Sequence, residues 1–230
     1  MKRKLFQPNT LLCFSPPVMI ATIIIETGLA LWILTRYTIN KPRRIMIALL
    51  VLLAAFQMAE FNVCSSALPD LIWSRLGYIF ITLLPALALH LVVLMRGEHR
   101  PRLVAMGYTL AATFVLAFAF APTSLNRGVC TGNYVIFALA QPLSLLYGYY
   151  YFGLEIAGLG LAMAPLVKPD KTIRTTMQWL VVAYLTMMVP TLIISVILPA
   201  AHLGIPSIMC GFAVFFALIL GLKVAPLANK

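Results

Sequence analysis

Long apolar runs broken by short polar linkers fill this chain. None of them alternates apolar and polar residues with the period of two that a barrel strand requires. A hydrocarbon core of about 30 Å is crossed by about 20 residues of helix. Seven stretches meet that length, at 17–35, 45–64, 73–95, 103–121, 137–167, 175–198 and 205–222. The pattern therefore predicts helices, because a backbone in lipid must satisfy its own hydrogen bonds. The fifth stretch is longer than one crossing needs. It is either a tilted helix or a helix preceded by an interfacial turn near Pro142. The linkers are short, and no internal repeat is visible. In particular there is no inverted repeat of the transporter kind. The reading is an all-α, polytopic bundle of seven transmembrane helices, forming one domain over 1–230.

Composition agrees with the pattern. Hydrophobic residues make up 62% of the chain and charged residues 10%, against roughly 25% charged in an ordinary soluble domain. So few charges cannot cover a water-soluble surface around this much apolar mass. The net charge of +11 then reports orientation rather than a nucleic-acid partner. The basic residues are scattered over short loops, with no groove to organise them. Arg36, Lys41, Arg43, Arg44, Arg96, Arg100, Arg102, Lys168, Lys171, Arg174, Lys223 and Lys230 fall on one side. Lys2, Arg3, Lys4, Arg75 and Arg127 fall on the other. The bias predicts an outside N-terminus and a cytoplasmic C-terminus in a cell (inner or plasma) membrane. Lys2–Arg3–Lys4 oppose it and are outvoted by the internal loops. The first apolar run starts late, contains Glu26 and lacks an Ala-x-Ala site, so it is expected to be retained rather than cleaved.

Catalytic chemistry is sparse. The histidines are His90, His99 and His202. No His-Glu-x-x-His, Gly-x-Ser-x-Gly, phosphate-cradling glycine loop or Cys-x-x-Cys occurs. No enzyme activity, cofactor or metal is expected. His90 stands alone on an apolar helix and reads as a core histidine bonded to a neighbour. The seventh helix has no lysine before Lys223, so a mid-membrane Schiff base is excluded there. Cys13, Cys64, Cys130 and Cys210 all fall near the outer face. A Cys64–Cys130 bridge suits an oxidising exterior. The favoured reading is four buried thiols acting as small apolar fillers.

The informative residues are ionisable groups within the spans. A charge at a helix centre costs roughly 2.5–3.5 kcal/mol on insertion scales, so such groups face protein rather than lipid. They are Glu26, Glu60 and Glu155, with Arg75 as the cation. Glu60 and Arg75 lie at similar depth on a helical hairpin. Gln57, Glu60 and Cys64 share one helical face; Arg75, Tyr78 and Thr82 share another. The pair forms either a structural clasp or, with Gln57, Trp73 and Tyr78, a polar pocket open to the outside. Glu155 shares a face with Ser144, Tyr147, Gly148, Tyr151, Gly158 and Ala162, where small residues admit a neighbouring helix. Pro85 and Pro190 interrupt helices three and six. Each frees a carbonyl that Thr82, Thr186 or Ser195 is near enough to serve.

One segment carries a likeness. It reads Ala59-Glu60, Leu68-Pro69-Asp70, Trp73-Ser74-Arg75-Leu76-Gly77-Tyr78 and Leu84-Pro85. This resembles the N-terminal seven-transmembrane region of certain bacterial and archaeal sensor histidine kinases, with Arg75 where lysine is common. Arg174, Gln178 and Pro190 fit the same pattern more loosely. The resemblance implies a receptor-like seven-helix bundle that passes a stimulus to cytoplasmic signalling domains. The chain carries no phosphoacceptor-histidine region and no ATP-binding glycine box, so signalling is expected to run through a separate protein partner. The alternatives are an accessory subunit of a larger membrane complex and a small proton- or cation-coupled transporter. Homo-oligomers are compatible with any of the three.

Overall fold

The computed structural model describes residues 16–65, 70–121, 124–125, 129–130, 135–136, 139–164, 170–197 and 204–228. Among these residues it has seven long helices: α1 (Pro16–Arg36), α2 (Lys41–Ser65), α3 (Asp70–Met95), α4 (Pro101–Phe120), α5 (Leu143–Met163), α6 (Lys171–Ile197) and α7 (Ile205–Ile219). The last continues through a π-helical turn, Leu220–Val224, into a final turn, Ala225–Leu227. Six of the seven are long and apolar enough to span a membrane, and the chain has the build of a polytopic membrane protein. The exception is α5, where Tyr147, Tyr149, Tyr150, Tyr151 and Glu155 dilute the apolar residues.

The outer helices bury one stripe and leave their other faces exposed, as lipid would allow. On α1 the buried positions are Met19, Thr22, Glu26, Leu29, Ala30 and Ile33, at the spacing of a single helical face. Its other faces expose Ile24, Leu31, Trp32 and Leu34. In water that arrangement would be a large apolar patch; against hydrocarbon it costs nothing. Thr22, Thr27 and Thr35 return their hydroxyls to the Met19, Ile23 and Leu31 carbonyls at 2.8, 2.6 and 2.9 Å. No polar group is thereby offered to the apolar phase.

Helix α3 is the hub, touching α2, α4, α5 and α6, while α7 closes the bundle against α6, α1 and α2. Helix α4 is peripheral and buries only Gly107, Ala111 and Phe118. The turn from α3 to α4 needs Gly97, whose φ of 66° lies in the left-handed region. Asn40 caps α2 by accepting the Arg43 amide at 3.1 Å, and Asp170 caps α6 by accepting the Thr172 and Ile173 amides at 2.9 and 3.2 Å.

Two elements depart from the sequence expectation. The α4–α5 connection, read as plain polar linker, carries a short antiparallel pair, β1 (Val129–Cys130) and β2 (Val135–Ile136). Two residues per strand are too few for a period-two signal to register. The fifth stretch begins just after β2 and resolves into a turn at Gln141–Pro142 and a helix starting at Leu143. The carbonyls freed by Pro85 and Pro190 are those of Ile81 and Thr186. The nearby hydroxyls bond elsewhere: Thr82 to Tyr78, Thr186 to Ala183 and Ser195 to Thr191.

Candidate functional site

The site grows from the tyrosines of α5. Tyr147, Tyr150 and Tyr151 point inward and are buried. The Tyr147 ring packs edge-on against Tyr78 of α3 at 5.5 Å between centroids, and against Phe114 and Phe118 of α4 at 5.3 Å each. Thr82 ties the cluster together. Its hydroxyl donates to the Tyr78 carbonyl at 2.5 Å and lies 3.2 Å from the Tyr147 hydroxyl. Tyr150 donates to the Thr82 carbonyl at 2.5 Å. The cluster thus fastens α5 to α3 by hydrogen bonds, and aromatic contacts fasten both to α4.

Beside this wall lies a partly open cavity of about 310 Å³. Tyr78 and Ile81 of α3, Ser144, Tyr147, Gly148, Tyr151 and Phe152 of α5, and Ile205, Pro206 and Met209 of α7 line it. Ile136, Leu139 and Gln141 of the α4–α5 connection complete it. The connection is pinned in place: the Val135 amide donates to Ser207 Oγ at 3.1 Å, and the Ala140 amide to the Ser124 carbonyl at 3.2 Å. The volume falls at the lower end of the range for small-molecule sites, and a mostly apolar lining with a few polar groups is their usual chemistry.

The polar pocket expected from sequence does not assemble. Of its five residues only Tyr78 reaches the cavity. Arg75 does not pair with Glu60. Its guanidinium turns to the C-terminal end of α4 and donates to the Ala119 and Ala121 carbonyls at 2.8 and 3.3 Å. Helix ends leave carbonyls without intrahelical partners, and a cation there also suits the helix dipole. Arg43 and Arg96 do the same work. Arg43, 1% exposed, donates to the Ala225 carbonyl at 3.1 and 3.3 Å, and Arg96 to the Leu161 carbonyl at 2.6 Å. Glu60 and Gln57 are buried on α2, and Trp73 is half-buried with its indole N–H unbonded among the described residues.

The three carboxyls are instead buried on three separate helices. Glu26 of α1, Glu60 of α2 and Glu155 of α5 are 0, 0 and 2% exposed, and Glu155 lines a small space together with Cys210 of α7. Among the described residues, both oxygens of Glu26 and Glu60 and Oε2 of Glu155 have no hydrogen-bond partner. None of the three makes an ion pair there; Glu98 makes both, with Arg96 and with Arg100 at 2.7 Å. Ser207 of α7 lies beside Glu60. A second, smaller void of about 20 Å³ is lined by Glu155, Cys210 and Tyr151 together with apolar residues. Tyr151 lines both spaces. The described residues offer no group of His, Cys, Asp and Glu able to hold a metal ion.

His90 bonds Tyr108 of α4 through Nδ1 at 3.0 Å, the helix-to-helix role expected of it. Cys64 is disulfide-bonded, so the reading of four thiol fillers does not hold for it, whereas Cys210 is a free, buried thiol. The side chain of Cys130 lies outside the described residues, as do Cys13, His202 and Lys2–Arg3–Lys4. Sequence reasoning missed Ile205, Pro206 and Met209 as lining residues. It named Ser144, Tyr147, Gly148 and Tyr151, but as a packing face.

Compared with known proteins, the chain matches no protein-family model and no curated protein. The likeness to the membrane region of sensor histidine kinases thus rests on its motif residues alone.

Proposed function

We propose that this chain is a non-enzymatic, receptor-like membrane module. In this reading it crosses the cell membrane seven times with the N-terminus outside, α5 included, and the cavity opens outward. A small molecule held there biases two packings of the bundle, and a separate protein partner reads the cytoplasmic side. The observation that supports it is the tyrosine-walled cavity where α3, α5 and α7 begin. Its walls belong to α3, the hub helix, and to α5 and α7. Pro85 and Pro190 lie inside α3 and α6, and each removes a backbone bond that would otherwise stiffen the helix. A ligand shifts such a bundle only by binding its packings unequally.

Gly148 provides the test. A Cβ added there meets no atom within 4 Å, yet the residue lines the cavity. Gly148→Trp should therefore fill the cavity without disturbing the backbone. A thermal-shift screen of a small-molecule library against the full chain in nanodiscs should give hits that this variant loses. Hits that survive unchanged would remove the cavity from the proposal.

A second reading, proton- or cation-coupled transport, is supported by the three unpartnered carboxyls on three different helices. It predicts flux in proteoliposomes that Glu26→Gln abolishes, and the absence of flux would end it.

A further inference from the structure

We propose that the cavity selects a small organic cation, an amine with an apolar or aromatic body. The inference rests on the receptor reading above and names the ligand class for the same site. Three observations carry it. The first is the lining. Tyr78, Tyr147 and Tyr151 line the cavity, and among the described residues no Lys, Arg or His does. An ammonium within about 6 Å of a tyrosine ring is attracted by the ring's negative face, whereas a carboxylate or phosphate finds no cationic partner among the described residues.

The second is what stands behind the floor. Tyr151 separates the cavity from the smaller void, and Glu155 lines that void with Oε2 unpartnered among the described residues. Glu155 follows Tyr151 by four residues on α5, about 6 Å along the helix axis. It is within electrostatic reach of that tyrosine. The void has room for about one water molecule. An ammonium held against Tyr151 would therefore have a carboxyl about one helical turn away, with room in the smaller void for a bridging water.

The third is the surrounding charge. Glu26 and Glu60 are buried on α1 and α2, and no described basic residue pairs with either of them or with Glu155. Arg75, the nearest candidate by sequence, is held by the α4 carbonyls. Among the described residues these buried carboxyls thus have no cationic partner, and a cationic ligand would bring one within reach of Glu155. An apolar body is required because the lining is mostly apolar, and Gln141 and Ser144 are the polar exceptions beside the tyrosine hydroxyls.

The test compares phenethylamine, 2-phenylethanol and phenylacetate, which share one ring and differ in head group. Calorimetry on the full chain in nanodiscs, with empty nanodiscs as the control, should show millimolar or tighter binding of the amine. The alcohol should bind about tenfold more weakly and the acid not at all, given the strength of hydrogen bonds to charged groups. Glu155→Gln should weaken the amine about tenfold to a hundredfold and leave the alcohol unchanged. Gly148→Trp should remove both. Equal binding of amine and alcohol, no amine binding by the native chain, or an unchanged amine affinity in Glu155→Gln would each overturn the cation assignment. The head-group series uses the native chain, so it decides the matter even if a variant does not fold. The receptor reading fails separately, when library hits ignore Gly148→Trp.

Discussion

Gly158 marks the closest approach of α5 and α6, and it allows a quantitative check on the bundle. A methyl group added there would collide with the Tyr184 hydroxyl and stand 3.1 Å from its ring carbon Cζ. Tyr184 has nowhere to go. It is 1% exposed and packs edge-on against Phe216 of α7 at 6.0 Å. Overpacking of this kind costs about 1–3 kcal/mol. Replacing glycine by alanine in a helix interior gains about 1 kcal/mol of propensity. Gly158→Ala should therefore be neutral to destabilising by about 2 kcal/mol, the opposite of what propensity alone dictates. Tyr184→Phe removes the colliding oxygen, which has no hydrogen-bond partner among the described residues, so its loss should cost little. In that background the remaining contact is the ring carbon, and a shift of a few tenths of an ångström relieves it. Gly158→Ala should then turn neutral or stabilising, with a coupling of about 1–2 kcal/mol between the sites. Thermal unfolding of the four proteins in one detergent reads the cycle. Additive effects would mean that Tyr184 does not sit over Gly158 and that α5 and α6 pack differently.

Three further outcomes follow from the same structure. Glu60→Gln and Arg75→Gln should be additive within about 0.5 kcal/mol, since the residues share no partner; a larger coupling in a double-mutant cycle would restore the clasp. Some desolvation pushes the Glu98 carboxyl up, but hydrogen bonds from Arg100 and Arg96 outweigh it and hold the group below the usual carboxylate range. That contribution is full above the ordinary carboxylate range and is lost as pH falls through the lowered value. Water screens the pair, so Glu98→Gln should flatten the acid limb of a stability profile by less than about 1 kcal/mol. Non-reducing mass spectrometry should find Cys64 in a disulfide and Cys210 as a free thiol. Cys64→Ser should then lower stability by about 2–5 kcal/mol.

The helices were legible because each is a long apolar run, and length is the quantity a bilayer constrains. Six of the stretches read from sequence coincide with helices long and apolar enough to span. The strand pair was not legible, since pairing of Val129 with Ile136 depends on a folded connection rather than on a local period. The site was legible residue by residue but not in its pairing. Glu26, Glu60 and Glu155 stood out as buried charge. Sequence depth placed Glu60 and Arg75 at one level, but depth does not say which way a side chain turns. The end of α4 lies in a different part of the chain, and its carbonyls claim Arg75. Tyr147 and Tyr151 were visible on one face with Gly148, and nothing local shows whether such a face meets a helix or a cavity.

The arginine caps and the orphaned carboxyls have a common cause. Helix ends concentrate partial negative charge on carbonyls, so the cations near the bundle go there: Arg75 to α4, Arg96 to the end of α5 and Arg43 to the turn that ends α7. Each is thereby anchored at a rim. The carboxyls are buried on α1, α2 and α5, and no described arginine pairs with them. A buried carboxyl left this way is a cost to the fold, because burying a charge without a partner is unfavourable and even a neutral polar group wants a hydrogen bond. Apolar residues of similar size would fill the same space at less cost. On the proposal above, a bound cation would offset that cost at Glu155, which lines the smaller void together with the cavity-lining Tyr151.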